Sequence, residues 1–110
     1  THIMENIIYN ELQIRGYNVD VGEVNIGGNR MTEVDFVANL GNKRYYIQSV
    51  LTMPTVEKIM QEKKSLLGIR DGFKKIIITK ENILRAYQDE DGITIMSLKE
   101  FLLNKNSLDI

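Results

Sequence analysis

Apolar and polar positions change period several times along the chain, and each change marks an element. Over residues 3–15, "IMENIIYNELQIR", Ile3, Ile7, Ile8, Leu12 and Ile14 recur near helical spacing, with Glu5, Asn6, Asn10, Glu11 and Arg15 on the polar side. Gly16 follows directly, where a left-handed cap would end the helix. From 17 to 26 the period drops to two. Tyr17, Val19 and Val21 alternate with Asn18, Asp20 and Gly22, which reads as a strand with an irregularity at Gly22. "GGNR" at 27–30 turns the chain and "MTEVDFVANL" at 31–40 returns it. "GNKR" at 41–44 is a second turn, with Asn42 suited to positive φ. "YYIQSVL" at 45–51 has little polar alternation, as a central strand covered on both faces would.

Pro54 then favours the first turn of a second helix, with Thr52 or Met53 near its cap. In "TVEKIMQEKKSLLGI", residues 55–69, Val56, Ile59, Met60, Leu66 and Leu67 form one stripe. Glu57, Lys58, Gln61, Glu62 and Lys64 lie on the other side, and Gly68 ends the helix. "FKKIIITK" at 73–80 is a buried strand with charged ends, and 81–91 is a polar connection with room for one helical turn. "GITIMS" at 92–97 is a last short strand; Ser97 caps a closing helix, "LKEFLLN", and "KNSLDI" is a tail. The order is α-β-β-β-α-β-β-α. It predicts an α/β fold: a mixed sheet with flanking helices on both faces.

Composition narrows the class. The 110 residues suit one domain, 1–110, and 43% apolar with 26% charged residues suits a globule. No cysteine is present, which excludes a disulfide scaffold and a thiolate zinc site and fits a reducing, cytoplasmic setting. No apolar run approaches the roughly 20 residues of a membrane span, so no membrane partner is expected. With a formal net charge of −1, nucleic-acid binding would need a local patch. Lys43-Arg44, Lys63-Lys64 and Lys74-Lys75 are the basic pairs; diluted by Glu57, Glu62 and Asp71, they read as solvated surface, with a phosphate-contacting face as the alternative. Alternation sends one of Tyr45 and Tyr46 into the core and leaves the other free to stack on bases. The numbering opens at Thr1 without an initiator Met, and a fragment of a longer protein is expected.

Chemistry is confined to carboxylates. There is no GxxxxGK[ST] phosphate loop, "GGNRMT" is explained as a hairpin turn, and the sole histidine, His2, stands at the start. Asp35 lies six residues before Gly41 and Gln48 six after Asn42, so the two face each other if their strands pair. With Glu5 from the first helix they would form an oxygen cradle suited to Mg²⁺, Asp35 and Gln48 being the metal ligands. The bland reading of the same residues is a helix-dipole contact for Glu5, a salt bridge from Asp35 to Arg30 or Arg44, and a buried amide satisfying backbone at Gln48.

"ENIIYNELQIRGYNVDV", "EVDFVA" and "YYIQSV" together resemble the PD-(D/E)XK nuclease superfamily of resolvases and restriction endonucleases over about residues 3–80. The resemblance implies a restriction-endonuclease-like α-β-β-β-α-β core, with Glu5, Asp35 and Gln48 at its catalytic positions. The chain is also similar to the C-terminal nuclease-like domains, of no settled function, in prokaryotic AAA-type P-loop ATPases. That implies an N-terminal ATPase domain of the parent chain as partner, and a further nucleic-acid or protein partner. Two positions depart from the superfamily: Gln48 replaces an acid, and Val50 replaces the lysine that positions the attacking water. Such a group is worth on the order of 10² to 10⁴ in rate. A lysine migrated to the second helix, Lys63 or Lys64, could restore it. The resulting expectation is a catalytically degenerate, vestigial site in a binding or regulatory module of an ATPase, with no cofactor of its own. The alternative is a Mg²⁺-dependent deoxyribonuclease, with Mg²⁺ required only if the site is active; a homo-oligomeric self-association domain is the third possibility.

Overall fold

The computed structural model of the chain describes residues 2–52 and 55–110. Helix α1 (His2–Ile14) precedes strands β1 (Asn18–Gly27), β2 (Arg30–Leu40) and β3 (Lys43–Val50). Helix α2 (Val56–Leu67) leads to β4 (Lys74–Thr79), β5 (Tyr87–Gln88) and β6 (Thr94–Ser97). Helix α3 (Leu98–Leu103) and a single 3₁₀ turn (Ser107–Asp109) finish the chain. The strands form one mixed sheet in the order β1-β2-β3-β4-β6-β5. β1, β2 and β3 form an antiparallel meander, β3, β4 and β6 run parallel, and β5 is antiparallel to β6. This is the mixed α/β architecture that the alternating periods predict, with helices on both faces.

Two cores follow from the layers. Met4, Ile8 and Leu12 of α1 and Phe101 of α3 pack on Phe36, Ala38, Ile47, Ile76 and Ile78. On the opposite face Leu66 of α2 and Ile69 pack on Val37, Tyr46, Val50, Ile77 and Ile95. β3 and β4 therefore bury both of their faces, as the near-continuous apolar runs require. Burial takes both Tyr45 and Tyr46, and neither is left free for stacking on bases. The Tyr45 hydroxyl donates to Asp109 and the Tyr46 hydroxyl to Asp71. Burial first, then the hydrogen bond to the carboxylate, pushes each phenol above its usual pKa.

Several local expectations need correction. In the β2–β3 turn it is Gly41, at φ 61°, that takes the left-handed conformation, and Asn42 does not. Gly16 does so after α1, at φ 92°, as the cap reading requires. The proposed opening of α2 at Pro54, with Met53 near its cap, lies outside the described residues. The observed N-cap is Thr55, whose side chain accepts the Lys58 N–H. The 81–91 connection holds the short strand β5 and no helical turn. "KNSLDI" is no loose tail, because Ser107 and Leu108 are buried. Arg15 donates to the Ser107 hydroxyl and the Phe101 carbonyl, and Lys74 donates to the carbonyls of Leu108 and Ile110. Among the described residues no helix is long and apolar enough to cross a membrane.

The buried faces of α1 and α2 also differ from the stripes read in the sequence. Ile3, Ile7 and Ile14 are exposed on α1, and Val56, Met60 and Leu67 on α2. Of its stripe α2 keeps Leu66 buried, and it turns Lys63 inward beside it. Lys63 Nζ lies 2.8 Å from Asp89 and 2.6 Å from Asp91, with Glu90 at 3.8 Å. These three acids converge closely enough to hold a cation, and the cation among them is the Lys63 ammonium. Asp89 is also held by the N–H groups of Asp91 and Ile93. Burial opposes the Lys63 charge, but the bonds and charges of Asp89 and Asp91 outweigh it and hold its pKa above the usual ammonium range. Burial likewise works against the Asp89 carboxylate, yet Lys63 and the two N–H donors leave its pKa lowered.

The linkage sets a pH window. The lowered Asp89 pKa contributes stability above about pH 4, which is lost as pH falls through the folded value; the raised Lys63 pKa contributes stability that persists to about pH 10 and is lost above it. Lys63→Met leaves Asp89 buried without its countercharge and should cost about 3 kcal/mol at pH 7 in urea unfolding. The deficit should narrow at about pH 3, where the wild-type pair is itself weakened.

Candidate functional site at the β2–β3 fork

The site arises where β2 parts from β3 while staying paired with β1. β1 pairs Asp20 with Val37 and Gly22 with Val34, so Asp35 and Phe36 together oppose the single residue Val21. This is a bulge, and it breaks the alternation of β2: Val34 and Val37 face α2 while Phe36 and Ala38 face α1. The β2–β3 ladder accordingly stops at Phe36 opposite Ile47. Asp35 and Gln48 are the next pair in that register, where the main chains no longer bond directly.

Side chains bridge the fork. Gln48 Oε1 accepts the Asp35 N–H at 2.8 Å. Asp35 Oδ2 accepts the Ser49 N–H at 2.8 Å and the Ser49 hydroxyl at 2.9 Å. A carboxylate and a carboxamide inside apolar strands are thus explained by backbone groups that the bulge would leave unpaired. The salt bridge from Asp35 to Arg30 or Arg44 is not what holds it: Asp35 bonds Ser49, and Arg44 Nε donates to Asn39. Ser49 was missed in the sequence because its role depends on where the ladder ends.

A cleft of about 950 Å³ opens at the fork and brings Glu5, Asp35 and Gln48 together in one lining. α1 adds Asn6 and Tyr9, and α2 adds a polar row of Lys58, Gln61, Glu62 and Ser65. The helical spacing of that row marked it as a polar face, without showing that it looks into a cleft. Thr32 of β2 donates to the Ser65 carbonyl and holds α2 against the sheet there. Among the described residues, five carboxylates line the cleft (Glu5, Glu23, Glu33, Asp35 and Glu62) against the one ammonium of Lys58. Such a field disfavours a bare phosphodiester and favours cations.

The lysines named from sequence are elsewhere. Lys63 is locked between Asp89 and Asp91, and Lys64 is exposed and does not line the cleft. Val50 is buried among Tyr46, Leu66 and Ile77 as part of the core on the α2 face. Of the basic pairs, Lys43 lies 3.6 Å from Asp109, Lys75 3.6 Å from Asp71, and Lys74 donates to carbonyls.

Part of the donor set is already committed to the protein. Mg²⁺ demands near-octahedral oxygen ligands. Here Gln48 Oε1 faces the Asp35 N–H, and Asp35 Oδ2 already accepts two hydrogen bonds. Gln48 Oε1 would have to share a metal with the Asp35 N–H, while Asp35 Oδ1, which makes none of these links, is the oxygen of the pair left to meet a cation in the cleft.

No protein-family model matches the chain. It is 34% identical over 100 residues, 91% of its length, to an uncharacterized protein of Haemophilus influenzae, of which it spans 22%. It is also similar to the crystal structure of protein of unknown function AF1548, with a TM-score of 0.59 and 19% identity; the likeness covers 84% of this chain and 55% of that one. At that identity the shared feature is the fold.

Asp35→Ala removes an acceptor of two hydrogen bonds, and Gln48→Leu leaves the Asp35 N–H without its partner. Each should cost about 1.5–3 kcal/mol in urea unfolding. Because the two act at one fork, the double substitution should cost measurably less than the sum. Full additivity would show that the two links are independent.

Proposed function

We propose that this chain is a nuclease-fold domain whose phosphodiester-cleaving site has become a structural cross-link, and that it acts as a binding or regulatory module of an AAA-type P-loop ATPase. The observation that carries this reading is the fate of the ligand oxygens. Asp35 and Gln48 stand at the positions that the superfamily uses for metal, and both bond the backbone of neighbouring strands. Core packing at Val50, where the superfamily has lysine, supports the same reading. The match to only 22% of the Haemophilus influenzae relative fits a module that occurs within a longer chain in that protein.

A second reading, a Mg²⁺-dependent deoxyribonuclease, draws on one observation: Lys58 shares the cleft with Glu5, Asp35 and Gln48. It would take the place of Lys63 or Lys64 as the migrated lysine. Incubation with supercoiled, linear, branched and single-stranded DNA in Mg²⁺ or Mn²⁺ separates the two. The degenerate site is expected to leave all four substrates intact. Cleavage that Asp35→Ala and Lys58→Ala both abolish would replace the first reading with the second.

A further inference from the structure

Beside α3, the loop after β4, whose Ile83 packs on the α2-face core, and the outer side of α3 flank a shallow groove with an apolar floor. One part, of about 610 Å³, is lined by Ile83, Leu84 and Leu103; the adjoining part, of about 370 Å³, by Leu98 and Leu102. The two share Lys99 and Leu103. Leu84 is 99% exposed and Leu103 75%, while Leu98 and Leu102 rest on the core beneath. A wholly exposed leucine beside an apolar floor leaves apolar surface that a partner can take out of water.

Charge says what kind of partner. Lys80 and Lys99 line the groove, and Arg85 and Lys105 adjoin its lining residues Leu84 and Asn104 in the chain. None of the four makes an ion pair among the described residues. Glu100, the acid in the lining, is turned to the Ala86 N–H at 2.8 Å, and Glu81 is also engaged. The chain carries a net charge of −1, so this basic rim is a local concentration. The acidic cleft beside α2 has the opposite sign, and the two surfaces select different ligands.

We propose that this groove is a docking site for an acidic amphipathic helix, whose apolar residues enter beside Leu84 and Leu103 and whose carboxylates meet the rim of Lys80, Arg85, Lys99 and Lys105. The exposed residues Val56 and Met60 of α2 lie on the other face of the sheet and take no part.

Fluorescence anisotropy tests this with a labelled peptide of about 16 residues, four turns of helix, carrying leucine at every third or fourth position and glutamate on the flanks. Saturable binding is expected, weakened about tenfold or more by Leu84→Asp and by Leu103→Asp, and reduced by Lys99→Glu. Both leucines are exposed enough for the variants to fold, which circular dichroism verifies. Met60→Asp should bind as the wild type does. The proposal is overturned by absent binding at about millimolar peptide, by equal binding of a peptide with lysine in place of glutamate, or by Met60→Asp weakening binding as much as Leu84→Asp. Preference for phosphatidylglycerol vesicles over the peptide would overturn it too.

Discussion

The three hydrogen bonds among Asp35, Gln48 and Ser49 hold the molecule at the point where its sheet divides. Below the fork, β2 and β3 are an ordinary antiparallel pair. Above it, the bulge carries β2 toward β1, and the main-chain ladder can no longer close the gap. Two polar side chains reach across and return the lost partners. The cleft exists because the strands diverge there, and its polarity exists because the divergence had to be satisfied. Shape and chemistry of the site thus have one origin.

The same economy of buried polar groups recurs at Lys63, between the cleft-lining residues Glu62 and Ser65 of α2. A lysine turned into a helix–sheet interface is tolerable only because the β5–β6 turn supplies Asp89 and Asp91. That pairing fixes the rotation of α2, and the rotation decides which residues look outward. Lys63 inward places Lys58, Gln61, Glu62 and Ser65 along the cleft and leaves Val56 and Met60 in water. A buried ion cluster outside the fork therefore helps compose one wall of the candidate site.

Much of this was readable from the chain, and the failures have a common cause. Period-two alternation exposed the meander, and counting from the Gly41-Asn42 turn put Asp35 opposite Gln48 correctly. Both depend on neighbours a few residues away. The buried face of α2 was misread because Lys63 is neutralised by residues 26 and 28 positions later, at Asp89 and Asp91. The terminal "KNSLDI" looked loose because its anchors, Arg15, Tyr45 and Lys74, are distant in sequence. β5 is two residues long and carries no periodicity to detect. Glu5 and Gln48 could be singled out as site residues, but Ser49 and Lys58 could not, because register and helix rotation decide their roles.

The central claim is that Asp35 Oδ2 and Gln48 Oε1 belong to the strands and not to a metal. Paramagnetic broadening of backbone amide signals during a Mn²⁺ titration tests it most directly, since it reads metal proximity without requiring turnover. The expected outcome is that the Asp35, Gln48 and Ser49 amides lose intensity only gradually and without saturation up to about millimolar Mn²⁺, no faster than the amides along the acidic rim of the same cleft. Selective, saturable broadening of those three amides at micromolar Mn²⁺, removed by Asp35→Asn, would show a formed metal site and contradict the account.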